Sequence, residues 1–416
     1  MEQHIPGIVL KDGLTQPVFD YKRCLFEKVY VETPVDTDGD GRLDLIAVYI
    51  RRPLETTQGM RVPAIYVANP YMLECNEDWY VPHDVDRDVS PYPQQHITES
   101  DITFDPSTVS FPQPRYPRAT IGYADTAPTE EIPLDCISDW YSYFNSRGYA
   151  SVFCGGLGTR GSQGFNCCGS PEETAAFKAV IDWLNGRCRA FTNLTDNIEI
   201  RADWCTGKVA MSGKSYLGTM CIAVASTGVE GLETIIPEAA ISNWYDYYRC
   251  NGLNLPAIGW QGDDLDILAK YCFSRAKDPE DYASVREAYA AWLEGIAADE
   301  DRDSGNYSRW WDMRNYLKAA DRFKASVFLV HGLADWNVKP THCVNLFAAM
   351  ESRGIPCKMM LHQGGHIYIH DLQGSRFNEM LHLWLDHWLY GIENGAAERI
   401  PNVDRKSTRL NSSHSL

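Results

Sequence analysis

The stretch Val209-Ala210-Met211-Ser212-Gly213-Lys214-Ser215-Tyr216-Leu217-Gly218 constrains this chain more than any other. An apolar run stops at Gly213, a helix of small residues is expected from roughly Tyr216 to Ser226, and one serine sits at the junction. A strand-to-helix turn this sharp strains the serine backbone and lifts its hydroxyl above a sheet. Gly213 and Gly218 keep Cβ atoms out of a turn too crowded to hold them. The helix starting after Ser215 aims free N–H groups and its positive end at any oxyanion formed there. The spacing departs from G-x-S-x-G: Leu217 stands where the second glycine belongs, and Gly218 comes one residue late. Taken alone, the stretch is as compatible with a plain glycine-rich connection as with a nucleophile.

The surrounding pattern narrows the choice. After a polar lead-in over residues 1–27, Lys28–Thr33 and Asp44–Ile50 read as strands. Between them, Asp36–Asp44 looks like the front of a calcium loop. Ala47 occupies the position of the bidentate glutamate, so the stretch reads as a hairpin turn held by Asx bonds. Strands at Ala64–Ala68 and Ala150–Cys154 flank a long aperiodic stretch, 72–132, and a helix over Leu134–Arg147. The Gly155–Ser162 loop lacks the pattern of a phosphate cradle, and Ser170 with Glu172 and Glu173 caps a helix running to about Asn185. Strands alternating with helices mean a mostly parallel sheet covered on both faces. Residues 243–318 are helical, aromatic and acidic, with no strand signal, and read as an inserted cap. The sheet returns at Ala325–Val330 and Cys357–Leu361, and a helix over Arg376–Leu389 closes it. The expected organisation is core over 28–242 and 319–395, cap over 243–318, and a linker from 396. The residues from Asp404 on resemble translated adapter sequence more than protein; they are expected to be unpacked, with the natural chain continuing beyond about Val403.

Composition closes off other classes. A net charge of −18 argues against nucleic acid or an anionic membrane as partner. Met1–Leu14 carries no signal-peptide pattern, and no apolar run approaches a membrane span. Thirteen scattered cysteines, an odd number, read as reduced packing residues of a cytoplasmic chain. Nothing calls for a metal or cofactor.

A serine hydrolase of this layout needs an acid and then a histidine, each just past a strand end. Asp335 follows strand 325–330 and His366 follows strand 357–361, in the required order after Ser215. His331, His362 and His370 are alternatives to His366. The oxyanion hole would take the Tyr216 N–H and a donor from the early loop Asn69-Pro70-Tyr71, where a proline removes one N–H and makes the Tyr71 hydroxyl attractive. On these residues alone, Tyr71 reads first as packed aromatic surface. A catalytically dead hydrolase-fold binding module is the reading from another class.

Thr15–Tyr21, the Asp36–Asp44 turn, Asn69-Pro70-Tyr71, Gly158–Ser162, Gly213–Gly218, Trp244–Arg249, Asp335–Lys339 and Gly364-Gly365-His366 together resemble the Xaa-Pro dipeptidyl-peptidase family. These serine peptidases are related to cocaine esterase and the α-amino-acid ester hydrolases. The family's own elbow carries the same departure from G-x-S-x-G. The resemblance implies an α/β-hydrolase fold, the triad Ser215, Asp335 and His366, and Tyr71 and Tyr216 as oxyanion donors. It implies release of Xaa-Pro dipeptides from free N-termini, with acyl or amino-acid ester hydrolysis as the alternative. Such a site needs an anion for the substrate ammonium, with Asp263 or Asp264 as candidates, and a flat apolar wall, with Trp244, Tyr247 and Trp336 as candidates. A homodimer is left open. Family members carry a further C-terminal β-sandwich, where this sequence stops.

Overall fold

The computed structural model describes residues 5–76, 96–130, 139–250, 252–254, 264–369 and 376–405. Its centre is a twelve-stranded sheet. The strands are β1 (Leu25–Glu32), β2 (Leu45–Arg52), β3 (Val62–Ala68), β4 (Gly122–Ala124), β5 (Ala150–Cys154), β6 (Ala190–Phe191), β7 (Ile198–Ile200), β8 (Cys205–Lys214), β9 (Leu232–Glu238), β10 (Ser326–Gly332), β11 (Cys357–His362) and β12 (Val403–Arg405). Their order across the sheet is 12-11-10-9-8-3-5-2-1-6-7-4. From β5 through β3 to β12 every pairing is parallel, while β1 and β2 form an antiparallel hairpin that joins β5 antiparallel.

The central strands β2, β3, β5 and β10 are nearly continuous apolar runs because both faces are covered. Ala64 and Tyr66 of β3 enter one core with helix α2 (Pro171–Leu184) and most of α3 (Tyr216–Ala225). Ile65 and Val67 enter the other, beneath α1 (Asp139–Asn145) and α6 (Phe377–Tyr390). Side chains that alternate along a strand therefore sort into two separate cores, as a two-residue repeat requires.

Several expectations change in detail. Leu232–Glu238, which carried no strand assignment, is a central strand between β8 and β10. Its apolar run is interrupted by Glu233 and Pro237, and a proline normally argues against a central strand. The stretch expected to be wholly aperiodic contributes a short helix (Glu99–Ile102) and the edge strand β4, although part of it lies outside the described residues. The chain between β9 and β10 carries the expected helices, among them α4 (Leu265–Cys272) and α5 (Pro279–Asp299), and also a small hairpin, Arg249–Cys250 with Leu253–Asn254. Residues 403–405, placed at the margin of the unpacked tail, instead pair with β11, and 406–416 lie outside the described residues.

The acidic turn and the glycine-rich loop both serve the segment above the sheet. Asp36 accepts the N–H groups of Gly39 and Gly41, and Asp40 accepts that of Arg42, which are the Asx bonds of a hairpin turn. Asp38 reaches Arg275 at 2.9 Å, and Arg275 also holds Asp281 of α5. Phe165, Phe273 and Tyr289 form a small separate core where the glycine-rich loop meets α5. Phe273 and Tyr289 stack with centroids 3.5 Å apart.

Candidate active site

Ser215 sits at φ 62° and ψ −126°, between the last residue of β8 and the first of α3. A non-glycine residue held there is strained, and the packing around it enforces the strain. A Cβ on Gly213 would lie 2.4 Å from the Leu217 Cβ, and one on Gly218 would lie 2.6 Å from the Gly213 oxygen. The late glycine is thus explained: Gly218 is the residue that α3 lays against Gly213, while Leu217 points its side chain into the other core. The Ser215 N–H is taken by the Glu238 carbonyl at 2.9 Å.

Asp335 lies in the turn after β10 with its carboxylate buried. One oxygen, Oδ1, accepts the N–H groups of Asn337 and Val338 at 2.9 and 3.0 Å. The other, Oδ2, accepts His366 Nδ1–H at 2.8 Å. A carboxylate fixed by two backbone bonds and aimed at one imidazole nitrogen holds that ring in the tautomer whose Nε2 accepts a proton. His366 keeps about a fifth of its side chain exposed. Among the alternatives, His331 is buried, donates Nε2–H to the Val338 carbonyl at 2.8 Å and lies 3.6 Å from Asp335 Oδ2. Burial holds His331 below the ordinary histidine range. His362 is buried, with Nδ1 accepting the Gly364 N–H, and His370 lies outside the described residues.

The strand registers bring these residues to one edge. Lys214, beside the serine, pairs with Glu238 of β9, which pairs with Val330 of β10. The Lys214 ammonium reaches the His366 carbonyl at 3.4 Å. Glu238 joins the two sides a second time, since its Oε2 accepts the Ile369 N–H at 2.8 Å, three residues beyond His366. Sequence reasoning missed Glu238; a charged residue after Pro237 at a strand's carboxyl end was the available signal.

Tyr71 and Tyr216 meet edge to face with centroids 5.8 Å apart. The Tyr71 N–H is committed to Asn69 Oδ1 at 3.1 Å, which leaves the hydroxyl as the donor this residue can offer. Burial pushes that hydroxyl well above the ordinary tyrosine range, so it keeps its proton.

The expected pocket residues divide. Trp336 is 71% exposed beside Asp335, and Tyr247 donates its hydroxyl to Asn337 Oδ1 at 2.7 Å, tying its helix (Trp244–Tyr248) to the Asp335 turn. Trp244 is fully buried, edge-on behind Tyr216 at 5.2 Å and bonded to Tyr316, so it supports the site instead of lining it. Asp264, expected as an ammonium anchor, is likewise fully buried. It pairs with Arg249 at 2.7 Å and Arg302 at 3.0 Å and caps α4, which commits its carboxylate to the protein. Asp263 lies outside the described residues. Among the described residues, the acids close enough to share a cation are Asp36, Asp38 and Asp40, in the β1–β2 turn, where Asp38 is already bonded to Arg275. No described helix is long and apolar enough to cross a membrane.

Two solved structures share the fold. A CocE/NonD family hydrolase from Staphylococcus aureus superposes with a TM-score of 0.52 at 14% identity, over 93% of this chain and 58% of the other. An aminopeptidase from a marine sediment archaeon, Thaumarchaeota archaeon, gives 0.52 at 14%, over 99% and 61%. The architecture is the α/β-hydrolase fold. Among curated proteins, the Xaa-Pro dipeptidyl-peptidases of Pediococcus pentosaceus and Lacticaseibacillus casei are 45% and 44% identical over 94% and 97% of this chain. The chain spans about half the length of these relatives, 48% and 50%. Residues 38–368 match the family described as X-Pro dipeptidyl-peptidase (S15 family), across the elbow, both later strand ends and the tyrosine pair. The elbow glycines, the bonded acid and base and that match have one reading: the chain belongs to the X-Pro dipeptidyl-peptidase family, S15.

Proposed function

We propose that the chain carries the catalytic half of a serine peptidase that removes Xaa-Pro dipeptides from free peptide N-termini through an acyl-enzyme. The observation that carries the reading is the 2.8 Å bond from His366 Nδ1 to Asp335, made at the sheet edge that also bears the strained Ser215. In this reading Ser215 Oγ attacks the carbonyl carbon after proline while His366 Nε2 takes the hydroxyl proton. The tetrahedral oxyanion is received by the Tyr216 N–H and the Tyr71 hydroxyl. As the C–N bond breaks, His366 gives its proton to the departing amine. Water, deprotonated by the same imidazole, then splits the ester, releases the dipeptide and restores Ser215. Asp335 stays ionised throughout and stabilises the imidazolium.

Trp336 and Tyr247 are the proposed apolar wall for proline, supported by the exposure of Trp336 next to Asp335 and by the bond from Tyr247 to Asn337. The ammonium anchor falls to Asp263 or to another acid, since Asp264 is committed. The test compares Ala-Pro-p-nitroanilide with its N-acetylated form. Strong preference for the free amine is expected; equal turnover of both, or preference for simple esters, would assign the site to acyl or amino-acid ester hydrolysis instead.

A further inference from the structure

Glu173 lies beneath the elbow in the first turn of α2 and is buried. Its Oε1 accepts the Tyr216 hydroxyl at 2.6 Å, and its Oε2 accepts the Gly169 N–H at 2.6 Å. A glutamate at the third helical position ordinarily reaches back to the N-cap residue. Here Ser170 caps the helix by accepting the Glu173 N–H at 3.2 Å, and the glutamate carboxylate divides between the preceding residue and a phenol from another element. Arg314, the cation whose charge is felt there, spends its donors on the Cys168 carbonyl, Cys167 Sγ and the Trp310 carbonyl. Burial accordingly pushes the Glu173 carboxyl up to about 7. A buried carboxylate with no ion pair costs more than a neutral amide would, so ending a helix does not by itself account for it.

Tyr216 is where the second partner leads. Its N–H belongs to the first turn of α3, whose N–H groups have no acceptor within the helix. Its ring is wedged edge-on between Tyr71 at 5.8 Å and Trp244 at 5.2 Å. The hydroxyl at the far end of that ring is the point from which the residue can be held. We propose that Glu173 is a positioning residue for the oxyanion-binding side: by gripping the Tyr216 phenol it fixes the Tyr216 N–H and, through the ring contact, the Tyr71 hydroxyl. The inference rests on the reading of these two tyrosines as oxyanion donors.

The test measures kcat and KM on Ala-Pro-p-nitroanilide, the rate of Ser215 phosphonylation by a fluorophosphonate, and Tm. The variants are Glu173→Ala, Glu173→Gln, Tyr216→Phe and the double variant Glu173→Ala/Tyr216→Phe. Loss of a direct oxyanion donor costs about 10²–10³-fold, so an indirect hold should cost about 10–100-fold in kcat and in phosphonylation, with KM little changed. The double variant should be no worse than either single one. Glu173→Gln should recover part of the loss, because its one carbonyl oxygen can still accept the phenol while its amide nitrogen cannot accept the Gly169 N–H. Where Glu173→Ala fails to fold, Tyr216→Phe reads the same bond with the ring retained. A lowered Tm at full kcat, an innocuous Tyr216→Phe, or losses that multiply in the double variant would each overturn the inference alone. A wild-type chain that is not phosphonylated at Ser215 would overturn the peptidase reading and this inference with it.

Discussion

Ser215, Asp335 and His366 stand just past the ends of β8, β10 and β11 in one hydrogen-bonded sheet, whereas Arg249, Asp264, Asp266, Glu300 and Arg302 stand on the segment inserted between β9 and β10. The first group is placed by backbone. Each side chain follows a buried apolar run, and parallel register carries the run ends to one edge. The second group is placed by charge: two guanidiniums, the carboxylates of Asp264 and Asp266 and the carboxyl of Glu300 close on each other where Arg249, Asp264 and Glu300 are fully buried. The difference teaches that strand register can hold a strained residue at an edge without relying on that residue's side chain, while a cap held by buried ions must keep every partner.

The sharpest way to break the comparison is at Ser215, the proposed nucleophile. Ser215→Ala should lower kcat by at least about 10⁴-fold, as loss of a triad member does, with Tm unchanged because the backbone turn is set by Gly213 and Gly218. A large fall in Tm would mean that the edge, too, depends on its reactive side chain. Next comes the cap. Asp264→Ala leaves Arg249 buried without its main partner and should destabilise the chain by roughly 3–5 kcal/mol in chemical unfolding, while the folded fraction keeps its phosphonylation rate. Equal losses in both would show that the cap shapes the edge directly.

Acid–base behaviour sharpens the same contrast. Burial first, then Asp264 and Asp266, holds the Glu300 carboxyl well above its usual range, against the pull of Arg302 and Arg249. The folded chain therefore keeps a proton there that the unfolded chain releases. That contribution to stability is complete below about pH 4.5 and is lost as pH rises toward the folded value. Melting curves of Glu300→Gln across this range should fall less steeply with pH than wild type; parallel curves would contradict the assignment. The smallest effect belongs to Trp336→Ala. Removing an exposed ring should raise KM about 2–10-fold, the equivalent of ~0.5–1.5 kcal/mol of aromatic contact, and leave Tm alone.

The same division decided what could be read in the amino acids. The position of Ser215, Asp335 and His366 just past strand ends was legible because a strand end announces itself locally: an apolar run stops, and a glycine-rich or polar turn begins. The helices of the inserted segment were legible for the same reason. What those helices bury was not, since Asp264 looks like any acid on an acidic segment until Arg249 and Arg302 close on it. Trp244 failed likewise, because an aromatic side chain suits a pocket wall and the back of Tyr216 equally well. Strand β9 was hidden by Pro237, and with it Glu238. Glu173 was seen as a cap, but nothing nearby in sequence points to a phenol arriving from another helix.

Glu238 gives the edge a further property. Its carbonyl holds the amide of Ser215, and its carboxylate holds the amide of Ile369, three residues past His366. A single residue of the middle strand thus ties down the backbone at two distant points of the sequence, so a displacement of Glu238 would loosen the chain at Ser215 and just past His366 together.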